Sequence, residues 1–172
     1  MENLFKYENE LKDKGIHIIG GTDEAGRGPL FGPVVAACVV LKDNFDIKGI
    51  NDSKKLSEKK REEYFDYIME NSIVGISVIS SEIIDKINIY EASRLGMMNA
   101  IKEVRKKTKL EYVLTDAMKL PDLDIGYNAI IKGDAKSASI AAASIIAKVT
   151  RDRIMYEYDK KYPEYEFGKH KG

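Results

Sequence analysis

Four acidic residues carry the chemistry this sequence could do. Asp23 and Glu24 stand side by side in "GTDEAGRGPLFGPVVAACVVL" (residues 21–41), Asp116 closes "YVLTD", and Asp134 follows the glycine of "KGDAKS". Adjacent carboxylates repel, and a strand end packed in a core is a costly place to keep them. Asp23, Asp116 and Asp134 each follow a strand-like run. If those strands are neighbours with aligned ends, the three carboxylates converge on one edge of a sheet. Glu24 joins them only if its strand stops or bulges there, because successive strand residues face opposite sides. Four clustered carboxylates cannot all stay ionised without a compensating cation. An all-oxygen ligand set, with no Cys or His nearby, favours magnesium or manganese over zinc. The plainer alternative is that strand-end aspartates serve as turn formers and helix caps, a role Asp134 fits, just ahead of a helix.

Gly26, Gly28 and Gly32 invite comparison with a dinucleotide fingerprint. Their spacing is wrong for one, and Pro33 with a β-branched run stands where its helix should begin. The glycines suit instead a close approach of backbone and Arg27 to a sugar–phosphate chain.

The elements that must position these residues follow from periodicity. Residues 17–22 read as a short strand leading into the acid pair, and 33–41 as a strand apolar throughout, as one buried on both faces would be. Residues 51–57 form a polar loop with turn and cap residues. A helix over 58–71 gathers Tyr64, Phe65, Ile68 and Met69 on one face. Residues 73–80 make a third strand. Asn88 with Glu91 three places on resembles a capping box, opening a long helix whose buried face is Tyr90, Met97, Ile101 and Val104. Strands over 112–116 and 127–132 follow, then an alanine-rich helix over 138–158. This order predicts one α/β domain, a mixed sheet covered by helices.

The bulk properties narrow the class. At 172 residues, 44% hydrophobic and 33% charged, the chain reads as one ordinary globular domain. Its formal net charge is zero, so nucleic acid would have to be met by a local patch. The single cysteine, Cys38, lies in an apolar run; it can form no disulfide within the chain and points to a reducing compartment. The first residues lack an apolar signal core, and the longest apolar run, 34–41, is too short to span a membrane. The expectation is a soluble, cytoplasmic protein.

Five blocks, "DEAGRGPLFGPV", "NDSKKLS", "YVLTDA", "KGDAKSASIAAASIIAKVTRDR" and "YPEYEFGKHKG", resemble in order and spacing those of bacterial type-2 ribonuclease H (ribonuclease HII). The resemblance implies a ribonuclease H-like fold, a mixed five-stranded sheet with helices packed on it. It also implies cleavage of RNA within RNA–DNA hybrids, and nicking of duplex DNA 5′ of an embedded ribonucleotide to leave 3′-hydroxyl and 5′-phosphate ends. Its metal ligands map to Asp23, Glu24, Asp116 and Asp134. They would hold two divalent cations, Mg2+ or Mn2+, roughly 4 Å apart. Gly26, Arg27 and Gly28 map to the block that reads the ribose 2′-hydroxyl, the group that separates RNA from DNA.

The resemblance makes Asn51, Ser53 and Lys54 strand-backbone contacts; a solvated helix approach is the alternative for the lysines. Lys148 and Arg151, one helical turn apart, suit either phosphate contact or surface pairing. Many relatives carry glycine after the third acid, where this chain has Ala117, a small residue read as a benign change. Relatives continue past "HKG" with a tyrosine and a helical segment, so the chain resembles a C-terminally truncated member with reduced substrate grip. The implied protein is a monomer, with a sliding clamp left open as partner. A catalytically silent hybrid-binding domain and another carboxylate nuclease of similar fold stand as alternatives.

Overall fold

Valine dominates the run after Pro33, and its stiff, branched side chains fit a pleated surface better than a helix. In the computed structural model every residue from Val34 to Val40 is buried, in the second of five strands. The structure describes residues 3–26 and 32–161, with only the backbone for Asp52. The strands are β1 (Ile19–Ala25), β2 (Val34–Leu41), β3 (Ser72–Ile79), β4 (Tyr112–Asp116) and β5 (Gly126–Ile130). They form one sheet in the order β3-β2-β1-β4-β5. β1 pairs antiparallel with β2 and β2 antiparallel with β3, whereas β4 runs parallel to both β1 and β5. The mixed five-stranded α/β sheet expected from the sequence is present.

The helices are α1 (Lys6–Asp13), α2 (Glu58–Glu70), α3 (Ser81–Ile87), α4 (Ile89–Arg105), the single turn α5 (Gly133–Lys136) and α6 (Ala138–Lys161). The Ser57 hydroxyl caps α2 by accepting from the Lys60 N–H at 3.1 Å. Asn88 Oδ1 accepts from the Glu91 N–H at 2.9 Å, so the expected cap of the long helix forms.

The helices cover the two faces of the sheet unequally. Ala37 and Val39 pack with Ala141, Ala142, Ile145 and Ile146 of α6, while Ala36 and Cys38 pack with Met97, Ala100, Ile101 and Val104 of α4. The approach of α6 is close because small residues meet small residues. A Cβ on Gly21 would overlap the backbone of Ser139 and Ile140. Substituting that glycine would push the central helix off the strand that carries Asp23.

Several expectations need correction. β1 begins and ends later than predicted, so Asp23 and Glu24 lie within the strand rather than past its end. The loop over 51–57 contains a 3₁₀ turn, Ile50–Lys55. Met69 and Tyr90 are 44% and 43% exposed and flank their helices' buried faces instead of joining them. Helices α1 and α3 were not foreseen.

Candidate active site

Asp23, Asp116 and Asp134 come from three separate elements and meet beside the C-terminal ends of the parallel strands β1 and β4. Each offers a carboxylate oxygen, and the three oxygens lie within 4.8 Å of one another. Asp23 is buried, and Asp116 and Asp134 are half-buried. Thr22 and Thr115 are register partners, which sets the next residues, Asp23 and Asp116, side by side. Asp134 does not end β5 as predicted; it sits in the one-turn helix α5, whose start at Lys132 takes left-handed backbone. The Gly133 N–H donates to Asp116 Oδ1 at 3.0 Å and ties that turn to the end of β4.

The electrostatics match the crowding. Burial pushes the Asp23 carboxyl well above its ordinary range, and the charges of Glu24, Asp116 and Asp134 push it further. Burial also raises Asp116, against the Gly133 N–H, which lowers it; Asp134 raises it, and a hydrogen bond with Asp23 and the Lys54 charge lower it. A set of oxygen ligands that repel one another in partial burial suits a hard divalent cation.

Glu24 stands apart from these three. β1 runs regularly through it, with Asp23 opposite Ala37, Glu24 opposite Ala36 and Ala25 opposite Val35, so neither the stop nor the bulge occurs. By strand alternation Asp23 faces α6 and Glu24 faces the α4 side. Glu24 still acts on Asp23 through its charge.

Gly26 follows β1 with φ +107°, a conformation that favours glycine. A Cβ there would come within 2.5 Å of the Pro33 carbonyl oxygen and 2.6 Å of Arg151 Nε. Arg27 and Gly28 lie outside the described residues, as does the "YPEYEFGKHKG" block. Asn51, Ser53 and Lys54 share the 3₁₀ turn, and exposed Lys54 is close enough for its charge to act on Asp116.

Arg151 lies inside the molecule rather than on its surface. Its side chain is fully buried and donates Nε–H to the Pro33 carbonyl at 3.0 Å, so it braces the chain beside Gly26. Lys148 pairs with buried Asp152 at 3.6 Å, the pairing alternative for this residue; desolvation lowers its pKa, and Asp152 opposes that shift.

Residues 20–172 match the family model for ribonuclease HII. The chain belongs to the ribonuclease HII family. It is 54% identical to ribonuclease HII of Clostridioides difficile (strain 630), covering 100% of this chain and 67% of that protein. It is 53% identical to ribonuclease HII of Bacillus subtilis (strain 168), covering 99% and 66%. The chain thus spans about two thirds of the length of these curated relatives. Among solved structures it resembles ribonuclease H2 from Pyrococcus horikoshii OT3, with TM-score 0.71 and 29% identity over 86% of this chain and 78% of that one. It also resembles the structure of the PCNA:RNase HII complex from Archaeoglobus fulgidus, with TM-score 0.70 and 30% identity over 84% and 77%.

Two features beside these three acids are not legible in the sequence. Ala117, directly after Asp116, has φ +61°, a left-handed conformation that costs an alanine more than a glycine, so the change expected to be benign carries strain. Thr115, buried, donates its hydroxyl to the Met118 carbonyl at 2.5 Å and closes the turn around that residue.

Proposed function

We propose that this chain carries a single ribonuclease H-like catalytic domain that hydrolyses RNA in RNA–DNA hybrids and nicks duplex DNA 5′ of embedded ribonucleotides, leaving 3′-hydroxyl and 5′-phosphate ends. The observation that carries the reading is the meeting of Asp23, Asp116 and Asp134 within 4.8 Å, in a member of the ribonuclease HII family. These three would hold two divalent cations, Mg2+ or Mn2+, with Glu24 adding its charge from the other face of β1. When bound, the cations supply Lewis-acid activation of the attacking water and neutralise charge on the departing 3′-oxygen. The carboxylates position and do not attack.

The remaining roles belong to the surroundings. Gly26, Arg27 and Gly28 bring backbone against the ribose, where a side chain would block access to the 2′-hydroxyl. Asn51, Ser53 and Lys54 face the strand backbone, and Lys54 offsets negative charge beside Asp116. Arg151 and Lys148 support the site, a reading favoured by the burial of Arg151 and the pairing of Lys148 with Asp152. No helix among the described residues is long and apolar enough to cross a membrane. We assign the protein to the cytoplasm, in ribonucleotide and RNA-primer removal, as a monomer. The clamp complex of the Archaeoglobus fulgidus protein makes a sliding clamp the partner to test by co-purification.

The decisive assay uses a labelled duplex with one ribonucleotide, incubated with Mg2+ or Mn2+ against chelator. Metal-dependent cutting 5′ of the ribonucleotide is expected. Binding without cutting at any metal concentration would leave a silent hybrid-binding domain.

A further inference from the structure

The first turn of a helix has N–H groups with no partner inside the helix, and each must find one elsewhere. In α6 the Ile140 N–H donates to the Ser137 hydroxyl at 3.2 Å, as an N-cap serine provides. The two others are met by the N-terminal segment. The Ala138 N–H donates to the Leu4 carbonyl at 2.8 Å, and the Ser139 N–H to Glu8 Oε2 at 3.0 Å. The same Glu8 oxygen accepts from the Ser137 hydroxyl at 2.8 Å. Glu8 is only 4% exposed, a buried acid set against the start of a 24-residue helix.

This corner adjoins the carboxylate site on two sides. Ser137 closes α5 by donating its N–H to the Gly133 carbonyl at 2.8 Å, and Asp134 lies inside that turn. Gly133 in turn donates to Asp116. Ser139 is the residue whose backbone lies against Gly21, two places before Asp23 on the same strand face.

We propose that Glu8 is a positioning residue for the cation site: from α1 it fixes the Ser137–Ser139 corner, and so sets Asp134 against Asp116 and Asp23. The inference rests on the cation-binding reading of those three acids. Both bonds go to one oxygen, and the other, Oε1, is buried with no hydrogen-bond partner among the described residues. A glutamine carbonyl can therefore replace the accepting oxygen, whereas a methionine of similar length cannot.

The test is Mn2+ binding by isothermal titration calorimetry to the full chain and to its Glu8→Met, Glu8→Gln, Asp134→Asn and Asn88→Ala variants. Folding is followed by circular dichroism. Glu8→Met should weaken Mn2+ binding roughly 10-fold, in the range for lost support of metal ligands, and Glu8→Gln should stay within about twofold of wild type. Asn88→Ala, which removes a cap on α4, should lower thermal stability and leave Mn2+ affinity unchanged. Wild-type affinity in folded Glu8→Met overturns the proposal, as does equal weakening in Asn88→Ala, which would reduce the effect to general stability. If Glu8→Met does not fold, Ser137→Ala decides in the same way, with a weakening of about two- to fourfold expected and none overturning it. Mn2+ binding by wild type that survives in Asp134→Asn, or no Mn2+ binding by wild type, would sink the cation-site reading and this inference with it.

Discussion

Replacing Asp23 by Asn should strengthen the metal-free protein while disabling it. At the 4.8 Å that bounds the oxygen separations, two unit charges repel by about 3.5 kcal/mol at an effective dielectric of about 20. Asp116 and Asp134 together would set about 7 kcal/mol against full ionisation of Asp23, and the Glu24 charge adds to that. The protein avoids this by keeping the Asp23 carboxyl protonated far above its ordinary range. A carboxyl raised on folding contributes stability that is fully present below its unfolded pKa, about 3.9, and lost as pH rises through the folded value. Wild type in chelator should therefore lose stability from about pH 4 upward, and Asp23→Asn should lose less, keeping only the part that comes from Asp116.

Protonation caps the penalty, so at pH 8 we expect the variant to be more stable by about 1–3 kcal/mol, or about 2–12 °C in Tm. The gap should close below about pH 4. Saturating Mn2+ should reverse the order, because only wild type gains the full stabilisation by ligand, about 2.7 kcal/mol at 100 times Kd. Cleavage should fall by more than about 100-fold, beyond what loss of an outer-shell partner costs. Thermal melts across pH, with chelator and with Mn2+, test all of this. An Asp23→Asn protein no more stable than wild type at pH 8 in chelator, with an unchanged Mn2+-induced shift, would refute the reasoning.

Ala117→Gly should stabilise the fold by about 0.5–1 kcal/mol in urea melts, because glycine relieves left-handed backbone at φ +61°. Gly26→Ala should cost about 1–3 kcal/mol from its positive φ, and more if Pro33 and Arg151 cannot yield; the same melts measure it. Lys54→Met removes a charge that lowers the Asp116 pKa, so protons compete with metal at higher pH. Its cleavage should fall about two- to fivefold at pH 8 and about 10-fold or more at pH 6, and a pH-independent loss would assign Lys54 to substrate contact alone.

The sequence was most legible where a run of apolar residues, continuous or at helical spacing, is bounded by polar ones. β2, β3, β4, α2 and α4 show such patterns, and their ends fall within a residue or two of expectation. The meeting of three acids was readable because each follows a strand-like run. What could not be read was which way side chains point inside α6. That helix is rich in alanine and buried on most sides, so periodicity does not tell Arg151, fully buried, from a surface cation. Glu24 needed the register of β1, which no composition reveals. Helix α1 was hidden for a related reason. Its contact with the rest of the molecule is made partly by buried Glu8, and an acid in an otherwise charged segment reads as solvated surface.

The sheet also dictates when the site comes into being as the chain folds. β1, β2 and β3 pair as antiparallel neighbours in sequence order, whereas the parallel partner of β1, β4, lies about ninety positions further along, and Asp134 further still. Closing so long a loop costs entropy before its contacts repay it, so the β1–β4 seam belongs to the late part of folding. An early meander would carry Asp23 and Glu24 without their partners and hold cations no better than any exposed acid pair. Bound metal then acts mainly after the rate-limiting step, slowing unfolding and leaving the folding rate nearly unchanged. Cleavage competence is thereby confined to chains that have completed the whole sheet.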